Sequence, residues 1–212
     1  MSSASRKPEA NKKLDLRKEL RHIYEAAQDK VAEIDVPVLN HLRIDGKGDP
    51  NTSRGYREAV ESLFATAYAL KFAVKKSSGI DYSVMPLESL WWTERDKPFF
   101  LENKKDWLWS ALIVQPPVVT GELLGRLLEQ VKERKALPAL ARLRLEPFVE
   151  GKSLQTLHIG PYSAEGLTIG KLHQYAKEHG YSLSGRHHEI YLNTPQRTVP
   201  ERLRTIIRQP VR

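Results

Sequence analysis

His187-His-Glu-Ile-Tyr191 places three groups that could do chemistry on one short segment. In an extended strand side chains alternate between faces, so His187, Glu189 and Tyr191 share one face while His188, Ile190 and Leu192 share the other. The apolar Ile190 and Leu192 are expected to face covering helices. That puts the imidazole, carboxylate and phenol on a groove-facing side. A carboxylate among aromatic rings could neutralise a cationic ligand or, with a raised pKa, activate water as a general base. The same pattern also describes an exposed polar strand face with no task.

All four tryptophans lie close together, as Trp91-Trp92 and Trp107-Leu-Trp109. Tryptophan offers a large flat surface and one N–H, suited to stacking on planar or cationic ligands and equally to filling a core. On a strand from 107 to 114, Trp107, Trp109 and Ala111 share a face, which describes an aromatic floor. Glu88, just before the Trp91-Trp92 pair, is a second candidate carboxylate. His158-Ile-Gly-Pro-Tyr162 could hold a catalytic histidine, or form a tight turn with Tyr162 packed over the next helix. Metal ligation is not expected: there is no His-Glu-x-x-His pattern and no cysteine. No Gly-x-Ser-x-Gly elbow, Walker loop or dinucleotide fingerprint occurs, so no cofactor is expected.

These residues need elements to position them. Residues 1–13 read as a flexible N-terminus, and 14–32 as a short docking helix. A strand over 36–44 enters a turn at Asp45-Gly-Lys-Gly-Asp-Pro50. The securest helix runs from Tyr56 to Lys75, with N-cap candidates at 51–53 and a stop at Gly79. An alternating strand is expected at 81–88, distorted or ended by Pro86, and another at 107–114. A helix follows over 120–135, then a short element near 143–149. A strand at 154–159, a helix at 168–179 stopped by Gly180, and strands at 186–192 and 203–211 complete the chain.

The order strand, helix, strand, strand thus occurs twice. The expected fold is α+β: one domain over 14–211, with a first module at about 36–115, a linking helix at about 120–135 and a second module at about 154–211. Two such units would meet across a pseudo-twofold axis, with a ligand cleft between them.

The 212 residues carry a formal charge of +8. Basic residues mostly alternate with acids, as in Arg17-Lys-Glu-Leu-Arg21, and only 197–212 is one-sided. That patterning argues against direct nucleic-acid binding as the main task. No apolar run approaches the roughly 20 residues needed to cross a bilayer, and the N-terminus lacks a secretory pattern. Together with the lack of cysteine, this permits a cytoplasmic setting.

Ile44-Asp-Gly-Lys-Gly-Asp-Pro-Asn51, Tyr68-Ala-Leu-Lys71, Val84-Met-Pro-Leu-Glu-Ser-Leu-Trp-Trp92, His158-Ile-Gly-Pro-Tyr162 and His187-His-Glu-Ile-Tyr-Leu192, in this order, resemble the GyrI-like small-molecule-binding proteins. The likeness covers about 14–211 and is nearest their stand-alone branch. It implies two strand-helix-strand-strand modules around a central cleft. Some stand-alone members hydrolyse cyclopropane-containing genotoxic compounds, whereas relatives fused to DNA-binding domains sense amphipathic, often cationic drugs. The family's cleft glutamate matches Glu189, here expected as base or counter-charge, with Tyr191 as hydrogen-bond donor. The expected ligand walls are Trp91, Trp92, Trp107 and Trp109, with Glu88, Tyr68 and His187 as further contacts. Ser89 stands where the family commonly has glycine, a departure that bears on the aim of Trp91 and Trp92. The alternatives are a sensor or sequestering protein without chemistry, and a gyrase-inhibitor-like interaction protein using its basic C-terminal strand on a protein partner.

Overall fold

The computed structural model describes residues 12–94, 104–134 and 137–212. The chain begins with β1 (Lys12–Leu14), α1 (Leu16–Glu19), α2 (Arg21–Tyr24), β2 (Ala32–Val36) and β3 (Leu39–Lys47). It continues through α3 (Arg54–Ser78), β4 (Ile80–Tyr82), β5 (Leu87–Trp92), β6 (Leu108–Gln115) and α4 (Gly121–Arg134). The last elements are β7 (Arg144–Phe148), β8 (Gly151–Ile159), α5 (Glu165–Glu178), β9 (His187–Tyr191) and β10 (Arg204–Pro210). Among the described residues no helix is long and apolar enough to cross a membrane.

α3 forms where its signals coincide. The Ser53 hydroxyl accepts the Tyr56 N–H at 3.2 Å, satisfying one of the helix's orphan donors. Ala59, Leu63, Ala67, Leu70 and Val74 then supply a buried stripe. Gly79 ends the helix in the left-handed region at φ 68°, where a side chain would be strained.

Eight strands form one sheet in the order β2-β8-β10-β9-β5-β6-β3-β7. The two strand-helix-strand-strand runs therefore appear as β8-β10-β9 and β5-β6-β3, mirror-ordered about an antiparallel β5–β9 seam. α3 packs over β3 and β6, and α5 over β8 and β10. Both helices lie on the same side. On one half Leu154 and Ile207 pack against Ile169 and Leu172 of α5; on the other, Tyr56 of α3 reaches Ser89, Trp91 and Trp109. Because paired residues in antiparallel strands share a face, Ile207↔Glu189↔Ser89 fixes one continuous helix-covered face across the seam.

The opposite face is also enclosed. β2 pairs with β8 and β3 with β7, and Val36↔Gly151 and Leu39↔Phe148 fall in one antiparallel register. Residues 32–47 and 144–159 are thus a single ribbon bent at 37–38 and 149–150, joining the two edges of the sheet. The sheet curls around this ribbon, and the segment holding α1 and α2 closes over it, with Ile23 and Tyr24 buried.

Several boundaries differ from the sequence expectations. The helix expected at 14–32 is two single turns ending at Tyr24, after which β2 pairs with β8. The segment 81–88 is not one strand: β4 pairs with β1 in a separate two-stranded parallel sheet, and β5 starts only after Pro86. α5 begins at Glu165, three residues before the expected start.

Candidate functional site

The β5–β9 seam runs between the areas that α3 and α5 cover, and its helix-side residues form the floor of that gap. Glu189 lies there, 6% exposed. Its carboxylate accepts the Tyr191 hydroxyl at 2.6 Å and meets His187 Nε2 at 3.2 Å. Ser89, directly across the seam, pairs its hydroxyl with that of Tyr56 at 2.8 Å. Tyr162 meets Tyr191 edge-on, with ring centroids 5.6 Å apart.

The expected grouping of His187, Glu189 and Tyr191 is present, but their covering is reversed. They face the helix layer, while Ile190 turns to the enclosed opposite side. β9 is buried on both faces, so an apolar residue has two interiors to choose from.

Glu165, in the first turn of α5 and 1% exposed, brings a second carboxyl group to Glu189. Sequence reasoning missed it. Burial and the negative charge of Glu189 push Glu165 up to about 10, against smaller lowering effects of Thr205 and Lys104. Burial alone would raise Glu189 too, yet the His187 and Tyr191 hydrogen bonds and the Trp91 indole hold it below the ordinary value. The two shifts run in opposite directions, which favours one shared proton on the pair at neutral pH, with Glu165 the better proton holder. Burial raises the phenols as well, Tyr162 to about 12 and Tyr191 well above its usual value, so both stay protonated donors.

Trp91 and Trp107 stand beside this pair, their rings 5.3 Å apart, with Tyr56 5.5 Å from Trp91. Trp109 is fully buried and meets Tyr56 edge-on at 5.0 Å. A Cβ on Gly46 would lie 2.2 Å from Trp109 Cζ2, so this indole is wedged into the core beneath the site.

Three expected contacts lie elsewhere. Trp92 alternates to the opposite face, where the Arg186 guanidinium stacks on it at 3.5 Å. Tyr68 is half-exposed on the outer side of α3, in a groove shared with α4. Glu88, one residue out of phase with Ser89, points into the enclosed face and has no access to the seam's helix side. There Tyr24 donates to it, and His188 Nε2 sits 3.0 Å away. His188 Nδ1 in turn contacts Glu150 at 2.8 Å, and Arg208 reaches Glu150 at 2.9 Å. His158 is also structural: its ring nitrogens engage Thr168 at 2.9 Å and the Pro161 carbonyl at 3.3 Å, clasping the turn to α5. No cluster of three metal-ligating side chains occurs among the described residues.

A family model described as the GyrI-like small molecule binding domain matches residues 30–212. An uncharacterized conserved protein from Listeria innocua superposes with a TM-score of 0.86 at 36% identity, over 94% of this chain and 100% of its own. A hydrolase from Listeria innocua gives 0.81 at 34% identity, again over 94% of this chain and all of its own. The EcmrR C-terminal domain shares the fold alone, with a TM-score of 0.53 at 13% identity over 86% of this chain and 97% of its own. No curated protein matches the chain.

Proposed function

The chain belongs to the GyrI-like small-molecule-binding family, and from that premise we propose that it holds a bulky hydrophobic or cationic compound between α3 and α5 and adds water to it. The observation that carries this reading is the burial of two neighbouring carboxyl groups, Glu189 and Glu165, whose surroundings push their proton affinities in opposite directions, Glu165 up and Glu189 down. Such a pair supplies a base and an acid at one pH. The hydrolase from Listeria innocua at 34% identity supports it.

In a strained, cyclopropane-containing substrate, Glu189 takes a proton from water as the oxygen bonds to the electrophilic ring carbon. The carbon–carbon bond breaks, and its electron pair moves into the conjugated system of the substrate, which takes the proton of Glu165. The proton then on Glu189 passes to the neighbouring Glu165. Water is added and the enzyme is unchanged. Tyr191 and His187 hold Glu189 in place; Trp91, Trp107 and Tyr56 form an aromatic wall, each stacked ring contributing about 0.5–1.5 kcal/mol.

The test is mass spectrometry of a cyclopropane-containing DNA-alkylating compound incubated with wild type and with Glu189→Gln. A water adduct is expected with wild type, formed about 10²–10⁴-fold more slowly by the variant. Equal rates would remove Glu189 from the chemistry. Saturable quenching of tryptophan fluorescence without any adduct would leave Glu189 as a counter-charge in a sensing or sequestering protein.

A further inference from the structure

The outer side of α3 exposes two aromatic residues, Tyr68 and Phe72, beside a stripe that is only partly covered by the core and that the Glu189 site does not use. Phe72 is 61% exposed and Tyr68 49%, and with Phe64, Ala65, Ala69 and Ala73 they line a groove of about 1090 Å³ whose far wall is Leu123, Leu127 and Val131 of α4. A contiguous exposed apolar patch on one face of a helix marks an interaction surface, whereas isolated exposed apolar residues do not.

The order of residues along this stripe identifies the occupant. Glu61 stands at one end and Lys76 at the other, both exposed and neither in an ion pair among the described residues. They are about 22 Å apart along the helix. The midpoint of the stripe falls between Tyr68 and Ala69. An identical helix running antiparallel, related by a twofold axis at that level, would bring Glu61 level with the second copy's Lys76. On the same rule Ala65 lies level with the second copy's Phe72, and Tyr68 with its Ala69. Charge meets opposite charge and bulk meets a small side chain, twice over by symmetry. That is the self-complementarity an isologous contact requires. A parallel helix would instead set like charges against each other.

We propose that α3 and the α3–α4 groove form the interface of a homodimer, with the α3 helices of two copies packed antiparallel about the 68–69 level. The inference is independent of the reading of the Glu189 site, whose residues lie on the other side of α3.

Sedimentation equilibrium of the full chain tests it, with circular dichroism confirming that each variant is folded. The wild type is expected to dimerise. Phe72→Lys, which places a charge within the contact opposite the second copy's Ala65, should raise the dimer dissociation constant by at least about tenfold. Glu61→Lys and Lys76→Glu should each weaken the dimer, because each sets like charges together at both ends, and the double variant E61K/K76E should restore it. A monomeric wild type would overturn the proposal. So would a dimer indifferent to Phe72→Lys, or one that the double variant weakens as much as the single ones do.

Discussion

Glu165 shows how a residue of ordinary type acquires an unusual state from its surroundings. An acidic residue in the first turn of a helix is commonplace, because it complements the helix dipole, and nothing in the sequence near 165 marks this one. Its role depends on α5 setting it against Glu189 on the helix-covered face of the sheet. By contrast Glu189, His187 and Tyr191 could be read as a group from strand alternation alone. The raised pKa has a cost for stability. Between the ordinary carboxyl value of about 4.3 and its folded value of about 10, the folded protein keeps a proton that the unfolded chain releases. Stability therefore falls as pH rises through that window, and the penalty is already present at neutrality. Glu165→Gln keeps a neutral donor beside Glu189 and removes the linkage. The variant is expected to melt higher than wild type at pH 8, by about 2–4 °C for each kcal/mol relieved, and to lose this advantage near pH 4. Turnover should fall, since the proton donor is gone. A lower melting temperature at pH 8 would mean that Glu165 is ionised in the folded protein.

At the scale of elements, the long helices and most strands were legible because period and caps agreed, as with Ser53, the apolar stripe of α3 and Gly79. The strand β9 was only half legible. Alternation separates its two faces correctly, but which face carries the helices depends on what lies beyond each, and here both are interior. Glu88 and Trp92 lie close to Trp91 in sequence, but the pleat sends them to the other side of the sheet. Gly46 is a quieter case. By sequence it belongs to a turn, yet it lies within β3 opposite Trp109, and its missing side chain is what admits the indole. Gly46→Ala should destabilise by about 1–3 kcal/mol, the usual cost of overpacking a filled core. Trp109→Phe in the same chain should recover part of that loss by vacating the space. Urea denaturation of the single and double variants checks both; additive losses would show that the two positions do not share that space.

For the whole molecule, the sequence pattern suggested two units meeting across a cleft, and the structure joins them as one sheet closed by a bent ribbon. That closure was not readable because it rests on β2 and β7, short pieces whose pairing partners are distant in sequence. It creates the enclosed face where His188 of β9, Glu88 of β5, Glu150 at the ribbon's bend and Arg208 of β10 meet Tyr24 of the N-terminal segment. Burial works against the charge on each, but partners prevail: Glu150 and Glu88 raise His188 to about 9, while Glu150 is lowered to about 2 and Glu88 also falls well below its usual range. The signs set a window. The contribution of His188 is complete below its unfolded value of about 6.5 and is lost as pH rises through 9; those of the carboxylates are complete above about 4.3 and are lost on acidification. His188→Gln leaves two buried carboxylates with one fewer positive partner and should cost about 3–5 kcal/mol at pH 6. Because the wild type itself gives up the charge on His188 at higher pH, the gap between the two proteins should narrow steadily from pH 6 to pH 9.5 in urea titrations. A gap that stays constant over that range would mean that His188 is neutral in the folded protein and joins the parts by packing alone.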